Sequence, residues 1–182
     1  MENPEKTSPY PSEKEAERYF HRHEMLLEFS RLFDYKDSDR AVAIIGPAFL
    51  DTLLRDILIE FMVEDDREVS KLLQPEGPLG TYGSRVTACY CFGLIGKIVT
   101  ADLRLVGKIR NRFAHDIRAD FSDQKISQWC RALRRHKEAF AIPPPNATDK
   151  DLFQVRVNQL VTHLSGVPSI ARSSKRPEVL GT

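Results

Sequence analysis

The chain has 182 residues, 41% of them hydrophobic and 29% charged, with a formal net charge of +1. That is enough chain for one well-buried core but not for two comfortable domains, and the composition excludes fibrous, wholly disordered and disulfide-stapled classes. The small total charge conceals an asymmetry: residues 51–76 carry eight acidic against three basic side chains, a net of −5, while residues 97–137 carry eleven basic against four acidic, a net of +7. Such polarity suits steering of a polyanion, or an acidic face of one copy meeting a basic face of another; an unevenly charged solvated surface is the plainer reading.

In chain order, residues 1–11 are polar and carry three prolines, which predicts a flexible leader. Ser12 caps a predicted helix to about Phe33, with Ala16, Phe20, Met25, Leu26, Phe29 and Leu32 as an imperfect stripe. From Arg40 to about Val63 runs the most apolar segment. Val42, Ile45, Phe49, Leu53, Ile57 and Phe61 recur at helical spacing, so this is the predicted central helix, kinked at Gly46-Pro47. A short helix over residues 67–73 leads into Gly77-Pro78-Leu79-Gly80. That stretch lacks the lysine and hydroxyl of a phosphate-binding loop and reads as a turn. Arg85 is placed to pair with an acid from residues 51–76.

Residues 84–95 form the next predicted helix, stopped by Gly96, and Thr100 is expected to cap the one after it. That helix turns Leu103, Val106, Ile109 and Phe113 to the core and ends in Arg110-Asn111-Arg112-Phe113-Ala114-His115. Ser122 should cap a helix to about Phe140, with Ile126, Trp129, Cys130 and Leu133 inward. Pro143-Pro144-Pro145 forces an extended connector, and Thr148 opens a last helix through Leu164. Residues 166–182 read as a flexible tail. The expectation is one all-α domain of six or seven helices over residues 12–165. Cys89, Cys91 and Cys130 lack zinc-site spacing, lie among apolar neighbours and read as free, buried thiols of a reducing cytoplasm. No apolar run nears the ~20 residues of a membrane span, and the polar start is no signal peptide. Neither a metal nor a cofactor is expected.

The Gly77-Pro78-Leu79-Gly80 turn, Arg85, Phe92-Gly93-Leu94-Ile95, Asp102-Leu103 and the Ile109–His115 stretch follow one another in an order that resembles the mannitol operon repressor (MtlR) family, over roughly residues 40–126. The resemblance implies a negative regulator without an obvious DNA-binding module. Separately, Arg110-Asn111 and His115 resemble the RNxxxH signature of HEPN domains, helical bundles that are often dimeric and in some cases metal-independent endoribonucleases.

Three roles stand open for Arg110, Asn111 and His115: a structural or interface role, phosphate binding without turnover, and catalysis. As chemistry, the histidine would move a proton of an attacking 2′-hydroxyl while arginine stabilises the phosphorane oxygens and Asn111 orients the imidazole. Five helical positions separate Arg110 and His115 by about 140°, so they converge only if the helix ends near Ala114 or a two-fold homodimer supplies a second copy. As architecture, His115 would cap carbonyls and Arg110 would pair with Asp102 or Asp116. Arg104, Lys108, Arg112, Arg131, Arg134 and Arg135 are candidates for DNA or RNA phosphate. Base readout by a helix-turn-helix is not indicated, since the second helix of the pair commits its apolar residues to the core, so a repressor of this kind is expected to act through a protein partner or modest nucleic-acid contacts.

Overall fold

Seven α-helices form among the described residues of the computed structural model, which are 12–33, 38–134 and 143–175. No strand occurs among them. The chain divides into two units, residues 1–34 and 35–182. The first holds α1 (Glu13–Leu32). It opens on a reciprocal cap: the Ser12 amide donates to Glu15 Oε2 at 2.7 Å, and the Glu15 amide donates to Ser12 Oγ at 3.4 Å. One turn apart at its end, the Phe29 and Phe33 rings stack with centroids 4.9 Å apart. The expected leader at residues 1–11 lies outside the described residues.

In the second unit α2 (Asp39–Phe61) is the centre, as its all-round apolarity predicts. Val42, Leu50, Leu53, Leu54, Ile57 and Leu58 are buried, and α7 (Asp149–Ser173), α5 (Lys97–His115) and α4 (Tyr82–Cys91) pack around them. Pro47 deletes one ladder bond, yet the helix continues through it. The short α3 (Asp66–Leu73) is capped by the Asp65 carboxylate, and the turn after it is read correctly from sequence. A Cβ on Gly77 would fall 2.3 Å from the Lys71 carbonyl oxygen, and one on Gly80 would fall 2.4 Å from that of Gln74, so neither position admits a side chain. Arg85 holds this turn. Its Nη1 donates to both Asp51 carboxylate oxygens at 2.7 Å, and its Nη2 to the carbonyls of Leu73 and Gly80 at 3.0 and 3.2 Å.

Several boundaries differ from expectation, each for a local reason. Thr81 caps α4 with Ser84, and the helix ends at Cys91 because Gly93, at φ +74°, takes the left-handed turn expected of Gly96. Gly96 is instead the residue before α5. Thr100 already lies in that helix, its hydroxyl donating back to the Gly96 carbonyl at 2.9 Å. Asp123, not Ser122, caps α6 (Gln124–Ala132) by accepting from the Lys125 and Ile126 amides. Those amides and Arg112 hold the Asp123 carboxyl below the usual carboxylate range. The helix expected to run to Phe140 instead ends at Ala132, where Leu133 turns extended; residues 135–140 of that expectation lie outside the described residues.

The largest correction concerns the tail. Helix α7 does not stop at Leu164 but runs through Gly166 and Pro168 to Ser173, so the boundary expected at 165 falls inside it. Leu160, Leu164, Val167 and Ala171 prolong the buried stripe past the glycine and proline that suggested an end. Arg172 Nε donates to Glu60 Oε2 of α2 at 3.0 Å and ties the last turn down. Among the described residues no helix is long and apolar enough to cross a membrane.

Candidate functional site

Helix α5 turns two unlike faces to its surroundings. Leu103, Val106, Ile109 and Phe113 are fully buried, at the spacing of three and four the sequence predicts. Asp102 joins that inner face although it is an acid. Arg156 of α7 donates to Asp102 Oδ2 through Nε at 2.8 Å and Nη2 at 2.6 Å, and the Arg134 amide donates to Oδ1 at 3.1 Å. Arg156 Nη1 goes on to Gln159 Oε1 at 3.2 Å. At 1% and 2% exposure the carboxylate and guanidinium are sealed together, so each neutralises a charge that would otherwise be stranded.

The opposite face lines a cavity of about 440 Å³ against the start of α4. From α5 come Arg104, Gly107, Lys108, Arg110 and Asn111. Arg104, Lys108 and Asn111 stand at the i, i+4, i+7 spacing of one helical strip, with Arg110 at its flank. Gly107 sits between them for a steric reason: a Cβ there would come 2.9 Å from Cε1 of Tyr82. The tyrosine ring therefore lies directly on the α5 backbone, and its hydroxyl donates to the Leu103 carbonyl at 2.9 Å. Burial, reinforced by Asp51 and opposed by Arg110, pushes the Tyr82 phenol far above its ordinary range, so it stays a neutral donor. Thr81, Gly83 and Val86 complete the wall, and among the described residues no carboxylate lines the cavity.

Among the described residues, Arg104 and Lys108 have no acidic partner, and Arg110 is engaged only by Asn111, donating to its Oδ1 at 3.1 Å. Several other arginines are held by acids. Arg85 faces Asp51, Arg131 faces Asp149, and Arg112 lies 3.1 Å from both Asp116 and Asp123. The arrangement concentrates uncompensated positive charge beside an aromatic and aliphatic wall, which is binding chemistry for an anion.

His115 is not part of that cavity. Helix α5 extends through it without a break, so the early helix end that would bring it beside Arg110 does not occur. The imidazole is exposed, one turn beyond Asn111 on the outer strip. Nor does it cap the helix. Arg40 of α2 does, donating through Nη1 to the Phe113 carbonyl and through Nη2 to those of Asp116 and Ile117 at 3.0 and 2.9 Å. The acids suggested for Arg110 are likewise taken: Asp102 by Arg156 and Asp116 by Arg112.

Of the cations singled out for nucleic acid, Arg104 and Lys108 reach the cavity, while Arg112 and Arg131 are held in ion pairs. Arg134 is exposed at the end of α6, and Arg135 lies outside the described residues. Sequence reasoning missed Arg40 and the Asp102–Arg156 pair, which join segments far apart in the chain. It also missed Gly107, although its place amid the cationic strip of α5 was a usable signal. Burial pushes the Cys89 and Cys130 thiols up to about 12, but Cys91 is exposed, contrary to the expectation that all three are buried. Among the described residues no group of three metal-binding side chains occurs.

The profile of the family described as mannitol repressor matches residues 40–165. A chain in the X-ray structure of the MtlR–HPr complex from Escherichia coli matches at 23% identity with a TM-score of 0.55, covering 84% of this chain and 99% of that one. At that identity the likeness is one of fold. A search of curated proteins finds no match.

Proposed function

The chain belongs to the mannitol repressor family, and from that premise we propose that it is a regulatory protein, a transcriptional repressor that acts by binding a protein partner. The family match carries this reading, since it spans α2 to α6 and most of α7. HPr, the partner in the Escherichia coli complex of the same fold, is the partner to test.

The faces of α5 favour a protein partner over direct reading of bases. A recognition helix needs an exposed polar face entering the major groove. The second helix of the short α4–α5 join has its apolar side sealed in the core and its free cations gathered on a cavity. Charge of that kind meets phosphate without reading sequence. In this reading Arg110 and Asn111 bind rather than catalyse, and His115 is a surface residue of the helix end. Chelator-treated protein should then leave total RNA intact, with and without His115→Ala.

Co-elution from a sizing column with light scattering tests the partner directly. The full chain mixed with HPr of its own organism should elute at the summed mass of a complex. Separate elution of both proteins at about 100 μM, where even a micromolar complex would be saturated, overturns the proposal.

A further inference from the structure

The cavity between α4 and α5 has a composition that protein–protein docking does not require. Arg104, Lys108 and Arg110 line it from a single helix and lack carboxylate partners among the described residues, beside Tyr82 and Val86. The acid nearest in effect, Asp51, already has both oxygens on Arg85. Three like charges held within two turns repel one another, and an incoming dianion relieves that repulsion. The volume of about 440 Å³ lies in the range of small-molecule sites and exceeds what a bare phosphate would fill.

We infer that this cavity binds a small organic phosphate, its phosphomonoester group held by Arg104 and Lys108, one helical turn apart, and its organic body lying on Tyr82 toward Arg110. The guanidinium fork of Arg104 and the compact ammonium of Lys108 supply donors that suit the terminal oxygens of a monoester. Asn111, already joined to Arg110, orients that guanidinium and keeps its amide hydrogens for the ligand. Gly107 makes the pocket floor: without a side chain there, the Tyr82 ring packs on the helix and presents a flat surface to the organic body. The inference stands apart from the choice of protein partner, since a ligand in this cavity is read by its own titration.

Isothermal titration of the full chain with phenyl phosphate, inorganic phosphate and phenol separates the contributions. Phenyl phosphate should bind with Kd of about 1 mM or below, inorganic phosphate about tenfold more weakly, and phenol not detectably. The double variant Arg104→Glu/Lys108→Glu should lose at least about tenfold in affinity, while Lys125→Glu, an exposed charge change on α6, should leave it unaltered. Gly83→Leu provides a second variant that keeps every cation. A Cβ on Gly83 meets open space, so the longer side chain grows into the cavity without a clash and should block phenyl phosphate. Absence of binding by both phosphates, equal affinity in wild type and Gly83→Leu, or binding of a single-stranded oligonucleotide that phenyl phosphate does not displace would overturn the assignment.

Discussion

Helix α5 carries charge on both sides, and the two sides are built on opposite rules. Inside, one carboxylate and one guanidinium are sealed together, with Gln159 and the Arg134 amide completing their bonds. Outside, Arg104, Lys108 and Arg110 share a cavity that no described acid lines. A buried charge persists only when paired, so the inner pair fixes how α5 meets α7. Unpaired cations at a cavity add nothing to the fold through their mutual repulsion, which makes the outer face the side that the molecule offers to its surroundings.

The contrast breaks most visibly at the inner pair. Asp102→Ala or Arg156→Ala alone should lower unfolding free energy in urea by about 3–5 kcal/mol, because each strands a buried charge. Asp102→Leu/Arg156→Met should recover most of that loss, ending within about 2 kcal/mol of wild type, since the Arg134 amide and Gln159 Oε1 each lose the partner the pair supplied. If the double variant were as unstable as the sum of the singles, the pair would be contributing more than mutual neutralisation. By comparison, Arg104→Glu/Lys108→Glu should shift stability little, and thermal melts should resolve that.

Arg40→Ala comes next. It leaves three carbonyls at the end of α5 without their charged donor and should cost about 2 kcal/mol in urea denaturation, with hydrogen exchange quickening over the last turn of α5. Gly107→Ala sharpens the boundary between the faces. The better helix former gains up to about 1 kcal/mol, while crowding of Tyr82 costs about 1–3 kcal/mol, so a small net destabilisation is expected.

The thiols give the smallest effect. Below pH 9 iodoacetamide should label Cys91 and spare Cys89 and Cys130. The buried thiols ionise only near 12, well above the ordinary value of 9, so above pH 9 the unfolded chain releases protons that the folded chain keeps. Stability therefore falls as pH rises from 9 toward 12, which urea midpoints across that range would register. At the acid end Asp123, whose carboxyl is held low in the fold, contributes stability that is lost as pH falls through its folded value.

Much of the fold was legible because its signals are local. The α5 core stripe, the turn at Gly77–Gly80 and the partner class of Arg85 all follow from spacing, glycine sterics and charge. The end of α7 was not, because Gly166 and Pro168 signal a stop that the buried Val167 and Ala171 override through packing on the rest of the fold. The site was legible in part. Arg104, Lys108, Arg110 and Asn111 were all singled out from sequence, but Tyr82 and Gly107 become partners only once α4 lies on α5. His115 was grouped with Arg110 by a sequence pattern that an unbroken helix separates.

Calorimetric titration of HPr into the full chain, alongside the Asp102→Leu/Arg156→Met variant, tests the account most directly. If the inner pair is scaffold and regulation runs through a protein partner, both chains bind HPr with Kd of about 10 μM or tighter and agree within about twofold. No heat from wild type at these concentrations, together with a promoter fragment bound by the chain alone, would contradict it.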